Sequence, residues 1–190
     1  MTRVLQAIVL ILGVISVGAP VHAALSEKAI MEVVNEQYSS TGVSAQFQFN
    51  DSMSLLVITV DQDAFQKSLP VLIQRGLLGA NTNERDLLLR PYSMEMSAAL
   101  VLSALCLEQL YINISNLDNS QVMLFLANRN SYGQIVRRLG QQFFFDRKLA
   151  KKIDWDHLDY RNLIVISTDF RTEGWLLETM NTEMKFWRSK

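Results

Sequence analysis

The chain has 190 residues, a formal net charge of −1 and 49% hydrophobic residues, which suits one well-filled domain and speaks against disorder. So balanced a charge excludes a nucleic-acid binder built on clustered cations. The single cysteine, Cys106, rules out an intramolecular disulfide and reads as a small core hydrophobe, so stability must come from packing.

Met1 to Ala23 has the pattern of a secretory signal peptide. Arg3 supplies a positive start, Ile8 to Val17 an apolar core, Gly18 and Pro20 a break, and Val21-His22-Ala23 a small-residue cleavage site. Cleavage after Ala23 predicts a water-soluble mature chain from Ala24, periplasmic or secreted, without stable membrane insertion. The alternative is an uncleaved anchor, since no charge falls between Arg3 and Glu27.

Ser26 is placed to cap a first helix whose apolar face is Ile30, Val33, Val34 and Tyr38, and Gly42 ends it. Val43, Ala45, Phe47 and Phe49 alternate with polar residues as a half-buried strand does, Asn50-Asp51-Ser52 is turn chemistry, and Leu55 to Ile58 form a strand apolar on both faces. Asp61 or Asp63 caps the next helix, which Pro70 limits or kinks. Residues 79 to 91 connect, with Leu87 to Leu89 as an optional short strand. Ser93 caps a helix to about Glu108.

Leu110, Ile112 and Ile114 again alternate, Asn116 to Ser120 turn the chain, and Val122 to Ala127 is apolar on both faces. Asn128 or Asn130 then caps a helix carrying Tyr132, Ile135, Val136 and Leu139. Val43–Phe65 can be laid without a gap on Leu110–Tyr132, which raises the possibility of an αββα internal repeat with halves 26–75 and 93–142. The extension 143–190 holds Phe143 to Phe145, a buried strand at Leu163 to Ile166, and a last helix bearing Leu176, Met180, Met184 and Trp187 at helical spacing. The fold class is α+β, a largely antiparallel sheet from two β-hairpins and a later strand, flanked by helices in a single domain spanning 24–190.

No GxGxxG, Walker loop or GxSxG elbow occurs, which excludes the usual nucleotide cradles and serine-nucleophile turn, and neither an HExxH helix nor a Cys/His zinc set is present. The sequence therefore implies no metal, no nucleotide and no cofactor. Asp154, Asp156, His157 and Asp159 gather three carboxylates and an imidazole, a set that suits general acid–base work; its bland reading is a solvated connection. Arg137, Arg138, Arg147, Lys148, Lys151 and Lys152 form a basic run suited to an anionic partner. Trp155, Tyr160 and Trp187 are aromatic binding candidates or, equally, core residues. These features imply an exported, non-enzymatic binding or assembly protein of the cell envelope, whose partner is another envelope protein. The alternative is a small exported hydrolase using His157 with the nearby aspartates.

Overall fold

The computed structural model describes residues 26–160 and 162–189. The signal-peptide pattern lies outside these described residues. Helix α1, Glu27–Tyr38, starts where the Ser26 hydroxyl accepts from the Ala29 amide at 3.3 Å. Ile30, Val34 and Tyr38, each about one turn from the next, are buried. A 3-10 turn, Ser39–Thr41, leads to Gly42 at φ 75, a left-handed conformation that costs glycine nothing.

Strands β1, Val43–Asn50, and β2, Met53–Asp61, pair antiparallel through the Asp51-Ser52 turn. The Asp61 carboxylate then accepts from the Ala64 amide at 3.0 Å and starts α2, Gln62–Lys67. Ser68 breaks the helix and Pro70 sits in the first turn of α3, Leu69–Gln74, where a missing amide proton is harmless. Helix α4, Glu84–Leu89, is opened by a reciprocal capping box between Asn83 and Asp86. Leu87 to Leu89 are thus helical rather than a short strand.

The central helix, α5, runs Pro91–Asn113. It is long and apolar enough to cross a membrane by length and composition, yet most of it is buried inside the fold. It crosses beneath β1, β2 and β3 and delivers the chain to β3, Asn119–Arg129, which pairs parallel with β2. Strand β4, Ile135–Asp146, returns antiparallel. After α6, Arg147–Ala150, a 3-10 turn at Trp155–His157 and α7, Asn162–Ile166, strand β5, Thr168–Thr172, joins the far edge, and α8, Gly174–Arg188, closes the chain. The sheet order is β1-β2-β3-β4-β5. Only β2 and β3 run parallel, so the architecture is a mostly antiparallel α+β sheet flanked by helices, as expected.

Alternation divides the sheet into two faces. Val43, Ala45, Leu56, Ile58, Val60, Val122, Leu124, Phe143 and Phe145 enter one core with Ile30 of α1, Leu102 of α5 and Leu176 of α8. The other face carries Val57, Thr59, Met123, Phe125, Leu139 and Phe144, which are only half-buried. A buried hydroxyl pair, Ser54 Oγ to Ser120 Oγ at 2.8 Å, ties β2 to β3 on the core side.

Three further expected elements differ from those formed. Leu110 and Ile112 belong to the last turns of α5, Asn130 to Leu139 is a turn and strand rather than a helix, and Leu163 to Ile166 is helical. The gapless overlay consequently sets β1 against the end of α5, and the second half lacks a closing helix where β4 runs. The halves 26–75 and 93–142 share the order helix–hairpin but not the register that suggested a repeat.

Candidate functional site

The β3–β4 hairpin outreaches its neighbours. Pairing of β2 with β3 stops at Asp61 opposite Ala127, and pairing of β5 with β4 stops at Thr172 opposite Gln141. Beyond those points the two strands continue as a lone ribbon from Asn128 to Arg138, exposed at every residue except Asn130. Tyr132 is 86% exposed at its tip and Ile135 56% exposed on its flank.

The tip is held by short-range bonds. Asn130 donates its amide to the Gln134 carbonyl at 2.9 Å, and its side-chain oxygen accepts from the Tyr132 and Gln134 amides at 3.0 Å each. The Arg129 guanidinium caps the Gly133 carbonyl at 3.0 Å. At the base, the Arg138 guanidinium lies 3.9 Å over the Trp175 ring, and the Trp175 indole donates to the Leu139 carbonyl at 3.0 Å. These contacts brace the ribbon on α8 and lower the ordering cost of using it in binding.

Charge on this ribbon has one sign. Arg129, Arg137 and Arg138 stand on it, and no Asp or Glu occurs between Asp118 and Asp146. Guanidinium groups beside exposed tyrosine and isoleucine form a surface matched to a carboxylate-bearing partner, because arginine grips carboxylates through paired N–H donors and tyrosine supplies contact area at low entropic cost.

The basic run read from the sequence does not form one patch. Arg137 and Arg138 lie on the ribbon, whereas Arg147, Lys148, Lys151 and Lys152 follow the opposite end of β4, roughly 30 Å away at the rise of a strand. The Arg147 guanidinium turns inward, donating to the carbonyls of Ile114, Leu117 and Tyr111 beneath the Tyr111 ring. It satisfies the end of α5 and is not available to a ligand. Lys148, Lys151 and Lys152 are exposed.

The aromatic candidates have partners within the fold. Trp155 is half-buried with its ring 5.9 Å from that of Phe145, and Tyr160 packs against the core. Trp187 donates to Asp86 Oδ1 at 3.1 Å beneath the Arg90 guanidinium, which latches α8 to α4. These rings hold the fold, whereas Tyr132, expected on a helix, is an aromatic residue presented to solvent on a hairpin tip, and Phe186 on α8 is exposed as well.

The acidic cluster contains a pair between His157 and Asp154. His157 Nδ1 lies 2.8 Å from Asp154 Oδ2, with side chains 83% and 68% exposed. The hydrogen bond and the charge of Asp154 push the imidazole above its ordinary value, and the bond from His157 draws the Asp154 carboxyl below its own. Asp156 is exposed and Asp159 half-buried. An oriented imidazole is one component of general-base chemistry, and here it is largely exposed to solvent. Among the described residues no group of three or more His, Cys, Asp or Glu is placed to hold a metal. Cys106 is fully buried and its thiol is pushed up by desolvation, the state of an inert core residue.

No protein-family model, no curated protein and no solved structure matches the chain.

Proposed function

We propose that this chain is a non-enzymatic binding or assembly protein, exported to the periplasm after loss of residues 1–23, that holds an acidic segment of another envelope protein on its β3–β4 ribbon. The supporting observation is the ribbon itself: a preformed arm with Tyr132 at the tip, arginines along its length and no carboxylate on either strand within the sheet until Asp146. Export is supported by the charge, apolar core and cleavage pattern of residues 1–23.

Site-specific photocrosslinking tests the binding reading. A photoreactive residue at position 132 should capture an envelope protein in the native compartment, and Arg137→Ala with Arg129→Ala should abolish capture while a probe at Glu36, on α1, captures nothing equivalent. Capture that survives loss of both arginines and high salt would remove the electrostatic basis of the proposal. The mass of the purified mature chain checks export separately, since the proposal requires it to begin at Ala24.

The hydrolase alternative has the 2.8 Å contact between His157 and Asp154 in its favour. Its requirement is a loss of several orders of magnitude in turnover for His157→Ala. The ribbon reading requires that substitution to leave partner capture unchanged.

A further inference from the structure

The face of the sheet opposite the core is apolar at its centre and, among the described residues, is not covered by the core cluster. Leu55, Val57, Met123, Phe125, Leu139 and Phe144 all point to it, all are half-buried, and none belongs to the core or packs against it. We propose that this face docks a second copy of the chain, the two sheets packing face to face about a two-fold axis that runs along the strands between β2 and β3.

Size, charge and register each support that occupant. Five strands about 4.8 Å apart, with four outward-facing rows along them, present roughly 600 Å² in plan, and side-chain relief brings this near the ~800 Å² per partner of a standard stable interface. The centre of the face holds no charged side chain. Glutamines stand round it as Gln46 and Gln48 on β1 and Gln142 on β4 and within it as Gln121 on β3, while the charged residues Asp61, Arg137, Asp146 and Arg171 lie towards its margins. A charged partner would find no complement at that centre, whereas an apolar middle with neutral amides in and around it is suited to meeting itself.

The register makes the match specific. Across the sheet, Gln46, Val57, Met123 and Gln142 share one row, and Ser44, Thr59, Phe125 and Leu139 share the next. Rotation about an axis between the parallel central strands brings β2 over the partner's β3 without reversing strand direction, within the roughly 30° offset that sheet twist imposes. Val57 then meets the partner's Met123 and Thr59 the partner's Phe125 beside the axis, while Leu55 meets the partner's Gln121 and the outer strands set Ser44 on the partner's Leu139 and Gln48 on the partner's Phe144. Next to the axis Val57 and Thr59 thus lie against the larger Met123 and Phe125, and Gln46 reaches the partner's Gln142 for an amide–amide hydrogen bond. This is the same-patch contact a closed two-fold dimer requires.

Two measurements test this using the full chain. Sedimentation equilibrium should report a dimer, and Met123→Arg should weaken association by about 100-fold or more while leaving the circular dichroism spectrum unchanged, because a buried unpaired guanidinium is expelled from such a contact. Independently, chains carrying Val57→Cys mixed with chains carrying Met123→Cys should form a disulfide-linked pair faster than either does alone; the native thiol, Cys106, is buried and does not compete. A chain that stays monomeric at its highest soluble concentration overturns the proposal, whether its own N-terminal segment or another protein covers the face. So does a dimer that persists in Met123→Arg and fails to link residue 57 to residue 123. Both results are independent of partner capture by the ribbon.

Discussion

The Gln62 side-chain amide donates to Glu95 Oε2 at 2.8 Å, joining the first turn of α2 to the central helix at a position from which water is excluded. Glu95 is fully buried, and its other oxygen has no hydrogen-bond partner among the described residues. Glu183, which accepts from the Tyr92 and Ser93 amides at 2.9 and 3.0 Å and so caps the start of α5, adds a repelling charge. Desolvation, with that charge behind it, pushes the Glu95 carboxyl from 4.5 up to about 8.

The pH dependence has a definite sign. Between 4.5 and about 8 the folded state keeps the Glu95 proton that the unfolded chain gives up. The unfolded state therefore binds fewer protons, and stability falls as pH rises through that window. Glu95→Gln keeps an acceptor for Gln62 and removes the titration. Urea denaturation should show it more stable than the parent by about 1–3 kcal/mol at pH 8 and nearly equal at pH 5.

Arg147 is expected to behave as a structural residue. Arg147→Ala strips donors from the carbonyls of Ile114 and Leu117, which close α5 and the turn after it, and should cost about 2–4 kcal/mol in urea denaturation. Partner capture, measured where the variant is still folded, should not change. Arg147→Lys should recover little, because an ammonium group cannot span three carbonyls as the planar guanidinium does.

Gly42 tests how the first helix is joined to the sheet. At its φ of 75 a Cβ would stand 2.5 Å from the Phe65 amide nitrogen and 2.9 Å from Ala64 Cβ. Both the strain and the clash fall on backbone that cannot move aside. Gly42→Ala should cost more than about 2 kcal/mol, read as a lowered thermal midpoint.

On the ribbon the expectation reverses. Tyr132→Ala and Arg137→Ala remove exposed side chains, so each should change stability by no more than about 0.5 kcal/mol. Their effect should appear in partner capture, and the Arg137→Ala loss should shrink as ionic strength rises and screens the charge in the parent.

His157 offers a spectroscopic check. Its imidazole should titrate above 6.5 in the parent by NMR and return towards that value in Asp154→Asn, with the fold unaffected because both groups are exposed.

The parts of the fold legible in the sequence are those where burial has a single period. Helix α1, strands β1 and β2, the middle of β3 and helix α8 each place apolar residues on one face or along a buried run, and the caps at Ser26 and Asp61 stand where side-chain chemistry puts them. Strand β4 was hidden because its first four residues run past β2 and β5 and pair with β3 alone. From Ile135 to Arg138 no core selects alternate residues, so Tyr132, Ile135, Val136 and Leu139 fall at helical spacing by coincidence. The end of α5 failed for the opposite reason: a helix buried almost all round has no polar stripe, and Leu110, Ile112 and Ile114 match period two as well as period 3.6.

The site was legible only in part. Arg137 and Arg138 were recognisable as cations, but neighbours in sequence on either side of a strand can end at opposite poles of it, as Arg137 and Lys148 do. Asn130 and Gly133 are the signal that turn chemistry supplies: an Asn whose side chain mimics a backbone acceptor, followed by a glycine three residues on, marks a hairpin tip rather than a helix start.

The hydroxyl bond between Ser54 and Ser120 joins residues 66 apart in sequence, and that separation orders the route by which the chain reaches its native state. Each hairpin closes locally, β1 on β2 and β3 on β4. The seam between them cannot zip until the whole crossover through α5 has been laid down, and loop-closure entropy is spent before that pairing returns any of it. Joining the two preformed halves is therefore the late step of refolding. Substitutions at the seam should slow folding less than they speed unfolding if the seam is still open in the transition state.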